Sequence, residues 1–261
     1  VGYTSYPDNV VYKFCDQAVK KGLDVFRIFD SLNNVDNLAL GIDAVNAAGG
    51  ISEASICYTG DIFDKKRERY GIDYYLDLAN KITNLDIDIL NIKDMAGILK
   101  PEAARLLVGS LRKEFPDMPI HVHTHDTGFV GVASMMACAE AGADAVDCAL
   151  DTMSGSTAQP SLGAIVSGFQ NTELDTNIDL DEIDKLNDYW AQTRRLYAPF
   201  EIHDPMGGCD VFTHEIPGGQ YSNLFSQASQ LGIAEQWPMI KKNYAAANKI
   251  LGDIVEVTPS S

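Results

Sequence analysis

The sequence IHVHTHD at residues 120–126 alternates aliphatic and polar side chains and ends on a histidine and an aspartate. Such alternation is typical of a β-strand, whose successive side chains point to opposite faces. Comparable aliphatic runs occupy residues 25–29, 54–58, 89–93 and 145–149. Longer amphipathic stretches separate them, so the sequence predicts an α/β fold with a parallel sheet and crossover helices.

Polar residues follow each of these five runs. An aspartate lies at or just past each end, at Asp30, Asp61, Asp94, Asp126 and Asp151. In a (β/α)8 TIM barrel, the carboxyl ends of the strands carry the chemistry. An open doubly wound sheet also places ligands there, but no GxGxxG or Walker A sequence follows any of the runs. The pattern therefore favours the barrel.

The alternation of strands and helices stops near residue 171. Residues 174–197 show an acidic helical periodicity, and further helices are predicted between residues 222 and 251. No strand-like run of similar quality follows. We therefore predict two parts, a barrel portion over residues 1–170 and a helical extension over residues 171–261.

The composition excludes several classes of partner. The 261 residues contain 37 Asp and Glu against 20 Lys and Arg, a formal net charge of −17, which disfavours nucleic acid and anionic membranes. The five cysteines are widely spaced, which fits a reducing compartment. No apolar run approaches the ~20 residues of a membrane span. The chain starts at Val1 in what reads as the middle of a domain.

Three histidines fall on one face of the strand quoted first. His121, His123 and His125 are spaced two apart, so their imidazoles project to the same side. Neutral imidazole is a common ligand of transition metals, and two such groups at a strand end can hold one ion. The alternative is a set of hydrogen-bonded core histidines. The clustering favours a metal.

Lys93 in NIKDMAG, residues 91–97, is the second candidate. A lysine at the end of a buried strand is costly unless its amine is paired or modified. A neutral amine is a nucleophile that can form a Schiff base, or can take up CO2 to give a metal-binding carbamate. An ordinary ion pair with Asp94 or Asp126 is equally consistent with the sequence.

Seven separated motifs resemble those of the carboxyltransferase domain of the pyruvate carboxylase family. They occur in the same order as in that family and span essentially the whole chain. They are GYTSYPDN (2–9), FRIFDSLN (26–33), YTGD (58–61), KDMAG (93–97), HVHTHDT (121–127), PGGQY (217–221) and VTPSS (257–261).

The resemblance implies a ligase that transfers CO2 from carboxybiotin to pyruvate and forms oxaloacetate through a metal-stabilised enolate. It implies biotin on a separate carrier domain, a divalent metal, Zn2+ or Mn2+, and ATP used by a biotin carboxylase domain of the same polypeptide. It further implies a homotetramer in the cytoplasm or the mitochondrial matrix, with roles in anaplerosis and gluconeogenesis. The alternative within the superfamily is the α subunit of oxaloacetate decarboxylase or the transcarboxylase subunit.

The resemblance also implies roles for individual residues. Lys93, as a carbamate, His123 and His125 match metal ligands, which leaves His121 beside the site. Thr258 matches a threonine that shuttles a proton between pyruvate and biotin. The positions that line the biotin and substrate pocket are matched by Tyr3, Thr258 and Ser261.

Some family features are missing from this sequence. The family barrel begins before Val1, with strands that carry a metal-binding aspartate and the arginines that bind the pyruvate carboxylate. The five runs should then be the last five of eight strands, with an open edge where the third strand would pair. We therefore expect the 261-residue chain alone to be inactive. A structural module that has lost catalysis is a further alternative for the isolated chain.

Overall fold

Five strands form one parallel sheet in the order in which they occur along the chain. The computed structural model describes residues 4–201 and 207–257. Its strands are β1 (Val25–Ile28), β2 (Ile51–Tyr58), β3 (Ile89–Asp94), β4 (Ile120–Thr124) and β5 (Ala145–Val146). Each strand overlaps one predicted run, although β2 begins three residues earlier than its run and β3 ends one residue later. The predicted α/β class with a parallel sheet is confirmed.

A helix precedes β1, and one or more helical segments follow each strand. The helices beside the sheet are α1 (Asp8–Lys20), α2 (Val35–Ala48), α3 (Ile72–Thr83), α4 (Pro101–Glu114), α5 (Gly131–Glu140) and α6 (Leu162–Phe169). Those after the sheet are α7 (Leu180–Tyr197), α8 (Val211–His214), α9 (Gly218–Gln230) and α10 (Trp237–Ile250). Sequential parallel strands joined by helices are the arrangement of a β/α barrel wall.

The alternation in β4 divides its side chains between two environments. Ile120, Val122 and Thr124 are buried, whereas His121 and His123 are only partly buried. The aliphatic side chains belong to the main hydrophobic cluster, which the helices beside the sheet complete. The histidines therefore project from the opposite, concave face, which is the interior side of a barrel.

The helical part differs in detail from the prediction. The helix predicted over residues 174–197 begins later, at Leu180, because the Asp179 side chain accepts a hydrogen bond from the Asp181 amide and caps it. The helices predicted between residues 222 and 251 are α9, which begins earlier, at Gly218, and α10, and a turn in which Gly232 has a φ of 72° separates them. No strand follows β5 in the described ranges.

Residues beyond 171 share the core of the sheet. Val211, Val255 and Val257 are buried in the same hydrophobic cluster as the strands. The division at residue 170 stays a prediction. In the described part of the chain, no helix has the length and apolar character that crossing a membrane requires.

An ion-pair cluster fastens the C-terminal segment to the loop after β2. Arg67 binds Glu215 and Asp253, with 2.6 Å between its Nη2 and Asp253 Oδ1. Glu256 lies beside this cluster and is only 4% exposed, and its Oε2 has no hydrogen-bond partner in the described structure. Burial, assisted by the negative charge of Glu215, raises the pKa of Glu256 to about 9.

We expect Glu256→Gln to stabilise the protein increasingly as pH rises. The pKa of this carboxyl is raised on folding, so its contribution to stability is fully present below the unfolded value of about 4.5 and is lost as pH rises towards about 9. Glutamine cannot ionise, so its advantage grows across that window. One pKa unit is worth about 1.4 kcal/mol, which puts the gain at pH 8 on the order of a few kcal/mol.

The measurement is the unfolding midpoint of the full-length protein between pH 5 and pH 9. Glu235→Gln is the control, because Glu235 is exposed and its replacement should leave the midpoint unchanged. A shift for Glu256→Gln that is the same at pH 5 and pH 9 would contradict the prediction.

Candidate active site

The sequence-predicted lysine and histidines come together at the carboxyl ends of β3 and β4. Lys93 pairs in register with His123 on the neighbouring strand, and His125 follows one residue after the end of β4. The imidazole rings of His123 and His125 meet edge to face, with 5.1 Å between their centroids. The structure thus brings together Lys93, His123 and His125.

Hydrogen bonds orient both imidazoles. His123 Nδ1 lies 2.7 Å from Asp147 Oδ2, and His125 Nδ1 lies 2.6 Å from the carbonyl oxygen of Thr157. Carboxylate and carbonyl oxygens only accept hydrogen bonds, so both Nδ1 atoms act as donors. In the neutral rings the Nε2 atoms then carry the lone pairs, and these atoms face each other at 3.4 Å.

Burial keeps the His125 ring neutral. Burial, with smaller contributions from the charges of His123 and Lys93, lowers the pKa of His125 to about 4. The Nε2 lone pair is therefore available at neutral pH. Two imidazole acceptors that face each other need a cation or a proton between them.

Lys93 is a largely buried amine at the end of β3. Burial lowers its pKa, and its Nζ lies 5.0 Å from the centre of the Phe29 ring. Among the described residues it makes no ion pair, so the pairing with Asp94 or Asp126 left open by the sequence is not formed. The lowered pKa makes the unprotonated, nucleophilic form of the amine easier to reach than in an exposed lysine.

Asp94 shapes the loop that follows β3. Its carboxylate accepts hydrogen bonds from the amides of residues 97–99 and from the Thr124 hydroxyl. Gly97 has a φ of +76°, and a Cβ atom there would lie 2.3 Å from the His125 carbonyl oxygen. Glycine is therefore required where this loop passes the backbone of His125.

His121 lies in a charged network on the concave face. Its Nε2 is 2.7 Å from Asp147 Oδ1, and its Nδ1 is 3.1 Å from Glu53 Oε2. Burial alone would lower the pKa of His121, but its hydrogen bonds to Asp147 and Glu53 outweigh burial and raise it to about 9. Arg27 binds the same two carboxylates. His121 is thus a cation in this network.

Sequence reasoning missed Asp147, Glu53 and Gly218. Asp147 lay in the predicted fifth run, and its place directly after β5 was a usable signal. Glu53 falls within a strand that is otherwise apolar or small, where a charged side chain indicates a buried partner. Gly218 touches His125 from α9, a contact that no local pattern reveals.

Three predicted residues lie outside the described ranges: Tyr3, Thr258 and Ser261.

The residues present fit a divalent cation. No three His, Cys, Asp or Glu side chains gather as a metal site within the described ranges. However, the two facing Nε2 atoms and the neighbouring amine of Lys93 form a donor set that a carbamate on the lysine would complete with oxygen ligands.

Histidines and a buried lysine at the carboxyl ends of parallel, helix-connected strands define an α/β enzyme of the barrel class. The chain belongs to the family described as HMGL-like, whose model matches residues 45–189. A second model, described as a conserved carboxylase domain, matches residues 211–261.

Relatives cover the chain along its whole length. Pyruvate carboxylase 1 of Caenorhabditis elegans is 59% identical over 263 residues, and the human mitochondrial pyruvate carboxylase is 52% identical over 263 residues. Each match covers 100% of this chain and 22% of the relative, so the chain spans about a fifth of their length. The resemblance to pyruvate carboxylases predicted from the motifs is confirmed.

A solved structure confirms the fold class, an incomplete barrel followed by helices. The carboxyl transferase domain of Rhizobium etli pyruvate carboxylase, in a structure with pyruvate and biocytin, superimposes with a TM-score of 0.97 at 46% identity. The match covers 99% of this chain and 44% of that one, consistent with five strands of a larger barrel.

Proposed function

We propose that this chain is the carboxyltransferase portion of a biotin-dependent pyruvate carboxylase, which transfers CO2 from carboxybiotin to pyruvate and forms oxaloacetate. The observation that supports this most is the pair of facing Nε2 atoms of His123 and His125 beside the buried amine of Lys93, whose pKa burial lowers. It occurs in a chain whose relatives are pyruvate carboxylases over its whole length.

Lys93, His123 and His125 would hold a divalent metal, Zn2+ or Mn2+. In forming the carbamate, the neutral amine of Lys93 makes an N–C bond to CO2 and releases one proton to solvent. The amine is suited to this because burial lowers its pKa. When bound, the metal supplies Lewis-acid stabilisation of the negative charge that develops on the pyruvate carbonyl oxygen.

The hydroxyl of Thr258 takes the proton from the pyruvate methyl group and passes its own to biotin. A neutral hydroxyl can do both because it donates and accepts a hydrogen bond at once. Tyr3 and Ser261, with Thr258, line the biotin and substrate pocket. The pocket must exclude water, because CO2 released from carboxybiotin has to meet the pyruvate carbanion rather than escape.

The partners follow from this chemistry. Carboxybiotin arrives on a carrier domain, which an ATP-dependent biotin carboxylase domain of the same polypeptide has loaded. The assembly is a homotetramer, and it works in the cytoplasm or in the mitochondrial matrix. The human relative carries the word mitochondrial in its name.

The test is oxaloacetate formation by the full-length protein from pyruvate, bicarbonate and ATP, with avidin as inhibitor. Activity that requires all three substrates and is blocked by avidin supports the proposal. Decarboxylation of oxaloacetate without any use of ATP would point instead to an oxaloacetate decarboxylase subunit.

Thr258→Ala should lower the overall rate at least about 100-fold, the usual scale of a proton-transfer group. Thr258→Ser restores a hydroxyl and should recover most of the rate. The bicarbonate-dependent cleavage of ATP, which takes place in another domain, should persist in both variants. An alanine variant that keeps more than a third of the overall rate would contradict the role of Thr258.

A further inference from the structure

Among the residues that the structure describes, Asp147 is the one side chain whose hydrogen bonds join the charged network to the facing imidazoles. Its Oδ2 accepts from His123 Nδ1 at 2.7 Å and from Arg27 Nη1 at 2.8 Å. Its Oδ1 accepts from His121 Nε2 at 2.7 Å. Both carboxylate oxygens are thus engaged by donors, so the carboxylate is held from three sides.

We propose that Asp147 is a positioning residue that fixes the orientation and tautomer of His123 and turns its Nε2 towards the site. The inference rests on the proposed function in one respect, that His123 and His125 bind a metal. Asp147 acts through His123, because its Oδ2 binds Nδ1 of that ring, whereas the atom that faces the site is Nε2 on the other side of the ring.

The two imidazoles are oriented by different means. The ring of His125 is fixed by a main-chain carbonyl, which no substitution removes. The ring of His123 depends on the side chain of Asp147. Carboxylate partners of this kind raise ligand basicity, and their loss costs about 10–100-fold in metal affinity. His123 is therefore the ligand whose orientation a single substitution can undo.

Glu53 holds the two cationic partners of Asp147 in place. Arg27 also binds Glu53, which is 3% exposed on the neighbouring strand, and His121 contacts Glu53 through its other ring nitrogen. Arg27 and His121 therefore each bridge Glu53 and Asp147. Glu53 therefore shares two of the three partners of Asp147, but it has no hydrogen bond to the third, His123, among the described residues.

This difference provides a matched pair of variants. Asp147→Asn keeps the shape of the side chain, but its amide NH2 group can donate to Nδ1 and so drive the proton of His123 onto Nε2. Glu53→Gln perturbs Arg27 and His121 to a similar extent and leaves the Nδ1 contact of His123 in place. If Asp147 only stabilised the network, both variants should lose metal affinity to a similar extent.

The experiment measures Co2+ binding to the metal-depleted full-length protein by competition with a chelator, together with the visible absorption of the bound Co2+. We expect Asp147→Asn to bind Co2+ 10–100-fold more weakly with an altered spectrum, and Glu53→Gln to stay within about threefold of the parent. Equal affinity for Asp147→Asn and the parent, or an equal loss in Glu53→Gln, would overturn the proposal.

A second pair covers the case in which Asp147→Asn does not fold. Asp147→Glu keeps the charge and displaces the carboxylate by one methylene, and Glu53→Asp is its counterpart. Co2+ affinity at least fivefold weaker in Asp147→Glu than in Glu53→Asp supports the positioning role, and equal affinities refute it. A parent that binds Co2+ without carboxylating pyruvate refutes the proposed function alone, whereas a parent that binds no Co2+ refutes both.

Discussion

Lys93→Arg is expected to remove the bound metal and to lower pyruvate carboxylation at least about 100-fold, the scale of a lost Lewis acid. Arginine keeps a positive charge at the end of β3, but its guanidinium is always protonated and cannot take up CO2. The two imidazoles would then face a permanent cation in place of a carbamate. Elemental analysis and the rate of oxaloacetate formation are the two measurements.

Lys100→Arg is the matched control. Lys100 lies on the loop after the same strand, but it is exposed and pairs with Asp61 at 2.5 Å, a contact that arginine can also make. The Lys100→Arg variant should keep its bound metal and its rate of oxaloacetate formation. Full metal occupancy in Lys93→Arg would exclude a carbamate at this position.

Gly218→Ala is expected to displace His125 and to weaken metal binding at least tenfold. A Cβ atom at Gly218 would lie 2.6 Å from His125 Nδ1 and 2.9 Å from its Cγ, closer than such contacts allow. The ring cannot simply step aside, because the carbonyl of Thr157 holds it at 2.6 Å. Overpacking of this kind also costs about 1–3 kcal/mol of stability.

Gly219→Ala separates this steric effect from a general effect on α9. A Cβ atom at Gly219 would meet nothing within 4 Å, and alanine favours the helix by up to about 1 kcal/mol over glycine. Chelator competition with Co2+ on the full-length protein measures both variants. Similar affinities in the two variants would show that His125 is not constrained by α9.

The strands of the sheet could be predicted well, because each depends on a short run of aliphatic residues that are adjacent in the sequence. Each of the five runs contains a strand, since aliphatic and β-branched residues fill the layer between sheet and helices. The grouping of Lys93 with His123 followed from the order of neighbouring parallel strands, whose carboxyl ends meet at one edge.

The rest of the site depends on contacts that are distant along the chain. Arg27 and Asp147 are 120 residues apart, so no periodicity or spacing connects them. The sequence also could not decide whether Lys93 forms an ion pair, because this depended on whether the Asp94 carboxylate was available to bind its amine. The amides of residues 97–99 and the Thr124 hydroxyl occupy that carboxylate, and only a folded loop brings them there.

The contact between Arg27 and Asp147 also sets a limit on curvature. It joins β1, the first strand of the sheet, to the residue directly after β5, the last. With neighbouring strands ~4.8 Å apart, a flat sheet would separate the outer two by roughly 19 Å, more than an arginine and an aspartate can bridge. Their 2.8 Å contact therefore requires the sheet to curve until its two outer strands face each other across the concave side. The five strands thus carry the bend of a barrel themselves, and an ion pair across the concave side helps to hold that bend.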